Sequence, residues 1–182
     1  MKKKIIITGG LGYIGTELCR LYSGVSWHHK ILVIDNRFIS ERVNQIRNWN
    51  MEFIHGDILD KDLVDKYFSN ADIVHHLAGI TSVPRTKSES SKEIDEKIKL
   101  VAEEGTQNIL NTISNECKLI FPSTHVVYEG ISEVKKDIKE NENTQPVLSY
   151  SSSKAANEKQ IKDSRKNYVI LRLGSVYGLS LI

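Results

Sequence analysis

Lys4-Ile5-Ile6-Ile7-Thr8-Gly9-Gly10-Leu11-Gly12-Tyr13-Ile14-Gly15 decides the fold of this chain. The apolar run reads as a short buried strand, and the glycines after it turn the chain into a helix that starts near Tyr13. A second apolar run, Ile31-Leu32-Val33-Ile34, closes on Asp35, about 20 residues further on, the spacing of a dinucleotide-binding unit. Each part has a physical task. One glycine makes the tight turn, Gly12 lets the backbone approach a pyrophosphate, and Gly15 lets the helix pack closely on the strand. Free amides and the positive end of the helix hold the pyrophosphate. Asp35 accepts hydrogen bonds from a ribose diol and repels the extra phosphate of NADP, so the expected cofactor is NAD.

Outward from this unit, short apolar strands alternate with amphipathic helical stretches, the pattern of a parallel sheet covered on both faces. Strands are predicted at 4–8, 31–35, 52–54, 72–77, 118–122 and 168–173, and helices at 13–22, 60–68, about 91–114 and about 150–164. Right-handed crossovers then give a doubly wound α/β sheet, the Rossmann fold, with six strands in the order 3-2-1-4-5-6. The segment 129–149 is polar and loop-like.

At 182 residues, the length suits one domain with a substantial core. A net charge of +2, with lysines scattered among nearly as many carboxylates, gives no reason to expect a nucleic-acid surface. Cys19 and Cys117 lack metal-type spacing, so neither zinc nor a disulfide framework is suggested. Met1-Lys2-Lys3-Lys4 precedes only three apolar residues, too few for a signal peptide, and no stretch is long enough to span a bilayer. The expected location is cytoplasmic.

Two further segments carry reactive groups. Tyr150-Ser151-Ser152-Ser153-Lys154 places a phenol and an ammonium one helical turn apart on one face. A phenol ionising near pH 10 is a poor base. A nearby ammonium together with a positive nicotinamide ring would lower that value toward the operating pH, as proton removal from an alcohol requires. Ser123-Thr124 follows the fifth strand, where open α/β sheets bind ligands beyond the carboxyl ends of their strands. Thr124 is placed to hydrogen-bond a reacting oxygen; the alternative is that both hydroxyls are turn residues ending the strand.

Taken in order, Thr8 through Gly15, Asp35-Asn36, Gly56-Asp57-Ile58, His76-Leu77-Ala78-Gly79, Ser123-Thr124 before Val127-Tyr128, Tyr150 with Lys154, and Leu171 through Gly178 resemble the extended short-chain dehydrogenase/reductase superfamily. The likeness is to its NAD-dependent sugar-nucleotide epimerases and dehydratases. The resemblance implies that Gly9, Gly12, Tyr13, Ile14 and Gly15 hold the pyrophosphate and that Asp35 with Asn36 holds the adenosine ribose. Asp57 and Ile58 would border the adenine, and Leu77, Ala78 and Gly79 would line the path to the nicotinamide. Thr124, Tyr150 and Lys154 would form the catalytic set, with Lys154 also reaching the nicotinamide ribose. Plainer readings stay open for Asp57, as a loop acid, and for His75 and His76, as residues flanking the fourth strand.

The implied activity is epimerisation of a nucleotide-activated sugar by transient oxidation to a keto intermediate. Reduction or decarboxylation by the same trio, or a non-catalytic NAD-binding module, is the alternative. Three departures bear on the choice. His125 and Val126 stand where dehydrating members carry an acidic pair, which argues against elimination of water. Ala102 and Ser175 replace asparagines common in the family, and Tyr128-Glu129-Gly130 carries an extra residue against the usual Val-Tyr-Gly. The family's C-terminal portion, which binds most of the nucleotide sugar, has no counterpart up to Ile182. The expectation is therefore one NAD-binding domain over 1–182 without the substrate-binding portion, and without turnover by itself. The resemblance further implies a homodimer through the helices at 91–114 and 150–164, with Ile94, Ile98 and Ile161 as candidates for the shared surface.

Overall fold

A computed structural model describes residues 1–81, 86–133 and 135–178. Six strands, β1 (Lys4–Thr8), β2 (Lys30–Asp35), β3 (Glu52–His55), β4 (Ile73–His76), β5 (Lys118–Thr124) and β6 (Asn167–Leu173), alternate with five helices. The helices are α1 (Tyr13–Ser23), α2 (Ser40–Asn48), α3 (Lys61–Phe68), α4 (Lys92–Thr112) and α5 (Ser149–Asp163). The strands form one sheet in the order β3-β2-β1-β4-β5-β6, and every pairing is parallel. This is the expected doubly wound order.

The alternation of side chains along each strand builds the two cores. Ile6, Leu32 and Ile34 face one way and pack with Val64 and Phe68 of α3, Ile109 and Leu110 of α4, and Ile161 of α5. Ile5, Ile7, Ile31 and Val33 face the other way, against Cys19 of α1 and Val43 and Ile46 of α2. A strand with period-two side chains and apolar residues on both faces must be covered twice, which is why β1 and β2 read as unbroken apolar runs.

Two elements differ from expectation. Helix α2 was not anticipated: only Val43 and Ile46 of its nine residues reach the core, so its sequence carries a weak apolar stripe. Strand β5 runs on through Pro122 to Thr124. Pairing with β4 ends at Ile120, and Pro122 is matched to Leu171 of β6 alone. The missing N–H of proline thus falls where the strand has one neighbour, a position that tolerates it. The extension carries Thr124 at its tip, and a 3-10 turn, His125–Tyr128, follows.

Ile98 and Ile161, expected on a shared surface between two chains, are fully buried within this one. Helices α4 and α5 pack on each other inside the chain, where Asn157 Nδ2 donates to the Ala102 carbonyl at 2.9 Å and Gln160 Nε2 to that of Glu103 at 3.1 Å. Ile94, at 39 % exposure, is the one of the three that faces outward.

Candidate functional site

The turn between β1 and α1 is built for close backbone approach. Gly9 has φ +65°, in the left-handed region, and a Cβ there would meet the Ala78 backbone at 2.8 Å. A Cβ at Gly15 would run into the Gly9 carbonyl and the Gly10 Cα, so α1 sits tightly against the turn. The N-cap of α1 is Gly12, with no side chain capping it and no acid in the first turn. By contrast, Asp60 caps α3 and Ser91 caps α4. The start of α1 thus keeps its positive end open to an anionic group.

Asp35, at the end of β2, is buried, and its oxygens are already engaged. Oδ2 accepts from the Leu11 amide at 2.9 Å, tying the acid to the glycine turn. Oδ1 accepts from the Arg37 amide at 3.0 Å and from Arg37 Nε at 3.2 Å. The Arg37 guanidinium therefore folds back beside Gly12, a placement that the spacing of the motif did not show. Nearby, Asn36 Nδ2 donates to Asp57 Oδ2 at 2.8 Å, and Asp57 Oδ1 accepts from the Leu59 amide at 2.9 Å. Asp57 thus joins β2 to the turn before α3 rather than standing free in a loop.

His76 does more than flank β4. Its buried ring links Thr8 Oγ1 at 3.1 Å to Thr106 Oγ1 of α4 at 2.9 Å, and Asn157 of α5 donates to the same Thr106 hydroxyl at 3.0 Å. Thr8 Oγ1 also accepts from the Ala78 amide at 3.0 Å. Burial, and secondarily the Lys154 charge, push the His76 ring down to about 3. It is neutral at physiological pH and serves as a fixed polar spacer between the glycine turn and the helix bearing Tyr150.

At the other end of the sheet, α5 carries Tyr150 and Lys154. Lys154 Nζ donates to the Pro122 carbonyl at 3.0 Å and lies 4.5 Å from the Phe121 ring centroid and 5.9 Å from that of Tyr150. Burial lowers the ammonium to about 8, and burial raises the Tyr150 phenol above its ordinary value. The sequence led us to expect a lowered phenol beside an ammonium and a nicotinamide cation. In the chain alone the ammonium is committed to Pro122 and burial prevails. Thr124 Oγ1 accepts from the Val126 amide at 3.3 Å, which keeps the turn reading of this hydroxyl alive beside the catalytic one. His125 Nδ1, 3.2 Å from the Leu173 carbonyl, must donate to it.

One cleft of about 1240 Å³ runs along the carboxyl ends of the strands. All fifteen residues nominated from the sequence line it: Gly9, Gly12, Tyr13, Ile14, Gly15, Asp35, Asn36, Asp57, Ile58, Leu77, Ala78, Gly79, Thr124, Tyr150 and Lys154. Arg37, two residues after Asp35 and weighed from the sequence as a partner for a 2′-phosphate, lines it too, whereas sequence reasoning missed Arg42 at the same end, Lys97 and Val101 of α4, and Leu173 and Val176 at and after β6. Their signal is three-dimensional, since only the crossovers bring α4 and the end of β6 to the same opening.

A family model described as the NAD dependent epimerase/dehydratase family matches residues 5–180. A dTDP-D-glucose 4,6-dehydratase of Dictyostelium discoideum is 32 % identical over 97 % of this chain and 44 % of its own length. A UDP-N-acetyl-alpha-D-glucosaminuronate decarboxylase of Bacillus cytotoxicus is 33 % identical over 70 % of this chain and 38 % of its own. Among solved structures, a UDP-glucuronic acid 4-epimerase from Bacillus cereus, in complex with UDP-glucuronic acid and NAD, superposes with a TM-score of 0.78 at 28 % identity. That match covers 96 % of this chain and 57 % of the other. The chain spans about half the length of the proteins it matches. Among the described residues, no helix is long and apolar enough to cross a membrane.

Proposed function

The chain belongs to the NAD-dependent epimerase/dehydratase family, and from that premise we propose that its cleft binds NAD and epimerises a nucleotide-activated sugar through a keto intermediate. The observation that carries this reading is the shared cleft. Thr124, Tyr150 and Lys154 line the same opening as the glycine turn and Asp35. The residues fit NAD: the Gly9 and Gly15 positions have no space for a side chain, the start of α1 is uncapped, and an acid closes β2.

Gly9, Gly12, Tyr13, Ile14 and Gly15 would hold the pyrophosphate, and Asp35 with Asn36 the adenosine ribose. Asp57 and Ile58 would border the adenine, with Leu77, Ala78 and Gly79 along the path to the nicotinamide. NAD, when bound, supplies the hydride acceptor and gives the hydride back. Tyr150 takes the proton from the sugar hydroxyl and later returns it, and Thr124 steadies that oxygen. Lys154 turns its ammonium from Pro122 toward the nicotinamide ribose and favours the ionised phenol, offsetting the burial that raises it. Dehydration fits less well, because His125 stands where an acid would be and, its ring held by the Leu173 carbonyl, is not among the residues lining the cleft.

Calorimetric titration of NAD and NADP tests the cofactor half. NAD is expected to bind more tightly, because Asp35 would face a 2′-phosphate and its pairing with Arg37 only partly offsets that repulsion. Asp35→Ala should weaken NAD by about tenfold or more, the scale of a charge-assisted hydrogen bond, and relax the preference. Arg37→Ala should sharpen it. Equal or tighter NADP binding by the unaltered chain would overturn the assignment. Turnover of a panel of UDP- and dTDP-sugars by a form of the protein that carries a substrate-binding portion tests the reaction.

The family reading also carries a homodimer through α4 and α5, with Ile94 and Leu100, 39 % and 44 % exposed on α4, lining the cleft itself. Light scattering should give twice the chain mass at high micromolar concentration; a monomer there rejects the interface.

A further inference from the structure

The N-cap of α5 is Leu148, whose side chain has no acceptor to offer the first amides of the helix. The two amides just before that turn, Val147 and Leu148, are held instead, by Ser151 Oγ at 3.3 and 3.2 Å and by a carboxylate. Glu129 Oε1 accepts from the Val147 amide at 2.7 Å, from the Leu148 amide at 2.7 Å and from the Ser151 hydroxyl. The carboxylate comes from outside the helix, 19 residues before Leu148. It is also the residue by which Tyr128-Glu129-Gly130 departs from the Val-Tyr-Gly of the family pattern.

The turn bearing Glu129 is itself fixed. The Gly130 amide donates to the Gln145 carbonyl and the Gln145 amide to that of Val127, both at 2.8 Å, so the two ends of the 129–149 loop are stitched together. Tyr150 follows the anchored segment by two residues and sits in the first turn of α5. We propose that Glu129 is a positioning residue for Tyr150: its carboxylate fixes the backbone that enters α5 and so holds the phenol at its place in the cleft.

The neighbourhood supports a charged rather than a protonated Glu129. Although burial pushes its carboxyl up, the hydrogen bonds from Ser151, Leu148 and Val147 outweigh that and hold it below its ordinary value. A second tie lies one residue before Tyr150, where Ser149 comes near enough to the Asp95 carboxylate of α4 to help hold it below its ordinary value. That contact holds a side chain. Glu129 holds the backbone, and the backbone sets where the phenol points.

The importance of Glu129 for chemistry rests on Tyr150 being the base; its effect on Tyr150 does not. The test compares the unaltered chain, Glu129→Ala and Glu129→Gln by NMR of protein labelled with 13Cζ-tyrosine, with Tyr150→Phe assigning the signal. Measurements in 1 M salt, where the Debye length is about 3 Å, remove the direct charge effect of residue 129. In Glu129→Ala the Tyr150 titration should fall from its raised position toward the ordinary phenol range, as the first turn frays and water reaches the ring. The Leu148 amide should exchange about tenfold faster, the scale of a lost hydrogen bond to a charged group. Glu129→Gln, whose amide oxygen accepts the same bonds, should restore both. NAD affinity should stay within about twofold throughout, since Glu129 is not among the residues lining the cleft. An unchanged Tyr150 titration in Glu129→Ala overturns the proposal, as does a Glu129→Gln chain that behaves like the alanine variant. An active Tyr150→Phe enzyme would instead remove Tyr150 as the base while leaving these readouts intact, so the two failures are distinguishable.

Discussion

In a form of the protein that carries a substrate-binding portion, Tyr150→Phe is expected to lower turnover of a nucleotide sugar by about two to four orders of magnitude, the usual worth of a positioned general base, while leaving NAD affinity unchanged. The substitution removes one oxygen and keeps the ring that lies 5.9 Å from the Lys154 ammonium. No hydrogen bond that holds the fold depends on the backbone moving, because the first turn of α5 is anchored through Val147, Leu148 and Ser151. The loss should fall on kcat more than on KM, as expected of a group used in the transition state and not in ground-state binding. Lys154→Ala is a contrasting case. Its ammonium, lowered to about 8 by burial, serves both the phenol and the ribose in this mechanism, so both turnover and NAD affinity should fall. Steady-state rates and calorimetry on the same preparations check the contrast. A Tyr150→Phe enzyme with undiminished rate would show that another group takes the proton.

What could be read from the residues divides by range. The glycine turn, Asp35 and the Tyr150/Lys154 pair lie within segments of four to about 30 residues whose spacing alone fixes their relation, and all of them reach the cleft. The sheet order followed from alternating apolar runs and crossover handedness. What was illegible depends on contacts far apart in sequence or on direction. Periodicity shows that α4 and α5 have apolar faces, but not that Ile98 and Ile161 turn inward rather than toward a second chain. Helix α2 has two inward residues in nine and so no clear period. The Tyr150 ionisation, expected to fall beside an ammonium and a bound nicotinamide, is raised by burial in the chain alone, where the Pro122 carbonyl, 32 residues away, holds Lys154. The Glu129 tie and the Glu158–Arg172 pair have no local signature at all.

That pair carries the largest expected effect on stability. Glu158 lies on α5 one turn beyond Lys154 and is almost fully buried, and Arg172 on β6 meets it with two bonds, Nε to Oε1 at 2.9 Å and Nη2 to Oε2 at 2.6 Å. Ser123, beside Thr124, donates to Oε1 at 2.6 Å, and Lys162 adds a contact to Oε2 at 3.2 Å. The remaining nitrogen of Arg172 reaches the Tyr128 hydroxyl and, at 3.0 Å, the Glu140 carbonyl. One carboxylate thus joins α5, the tip of β5, β6 and the loop that delivers Glu129. Removing it leaves a guanidinium only 13 % exposed without its counter-charge. Glu158→Ala should cost about 3–5 kcal/mol, which for a chain of this size is a fall in Tm of roughly 10 °C. Replacing both partners with methionine should cost much less, since no charge is then buried unpaired. Burial pushes the Glu158 carboxyl up, but the bonds from Arg172 and Ser123 outweigh it and hold it below its ordinary value. The folded chain therefore binds that proton less tightly than the unfolded chain. Its contribution is full above the unfolded value near pH 4.3 and is lost as the pH falls through the lower folded value. Urea unfolding at neutral and acid pH reads both effects. The stability of Glu158→Gln should depend less on pH across that acid range than that of the unaltered chain, and equal slopes would show that the buried pair is not what ties stability to acid.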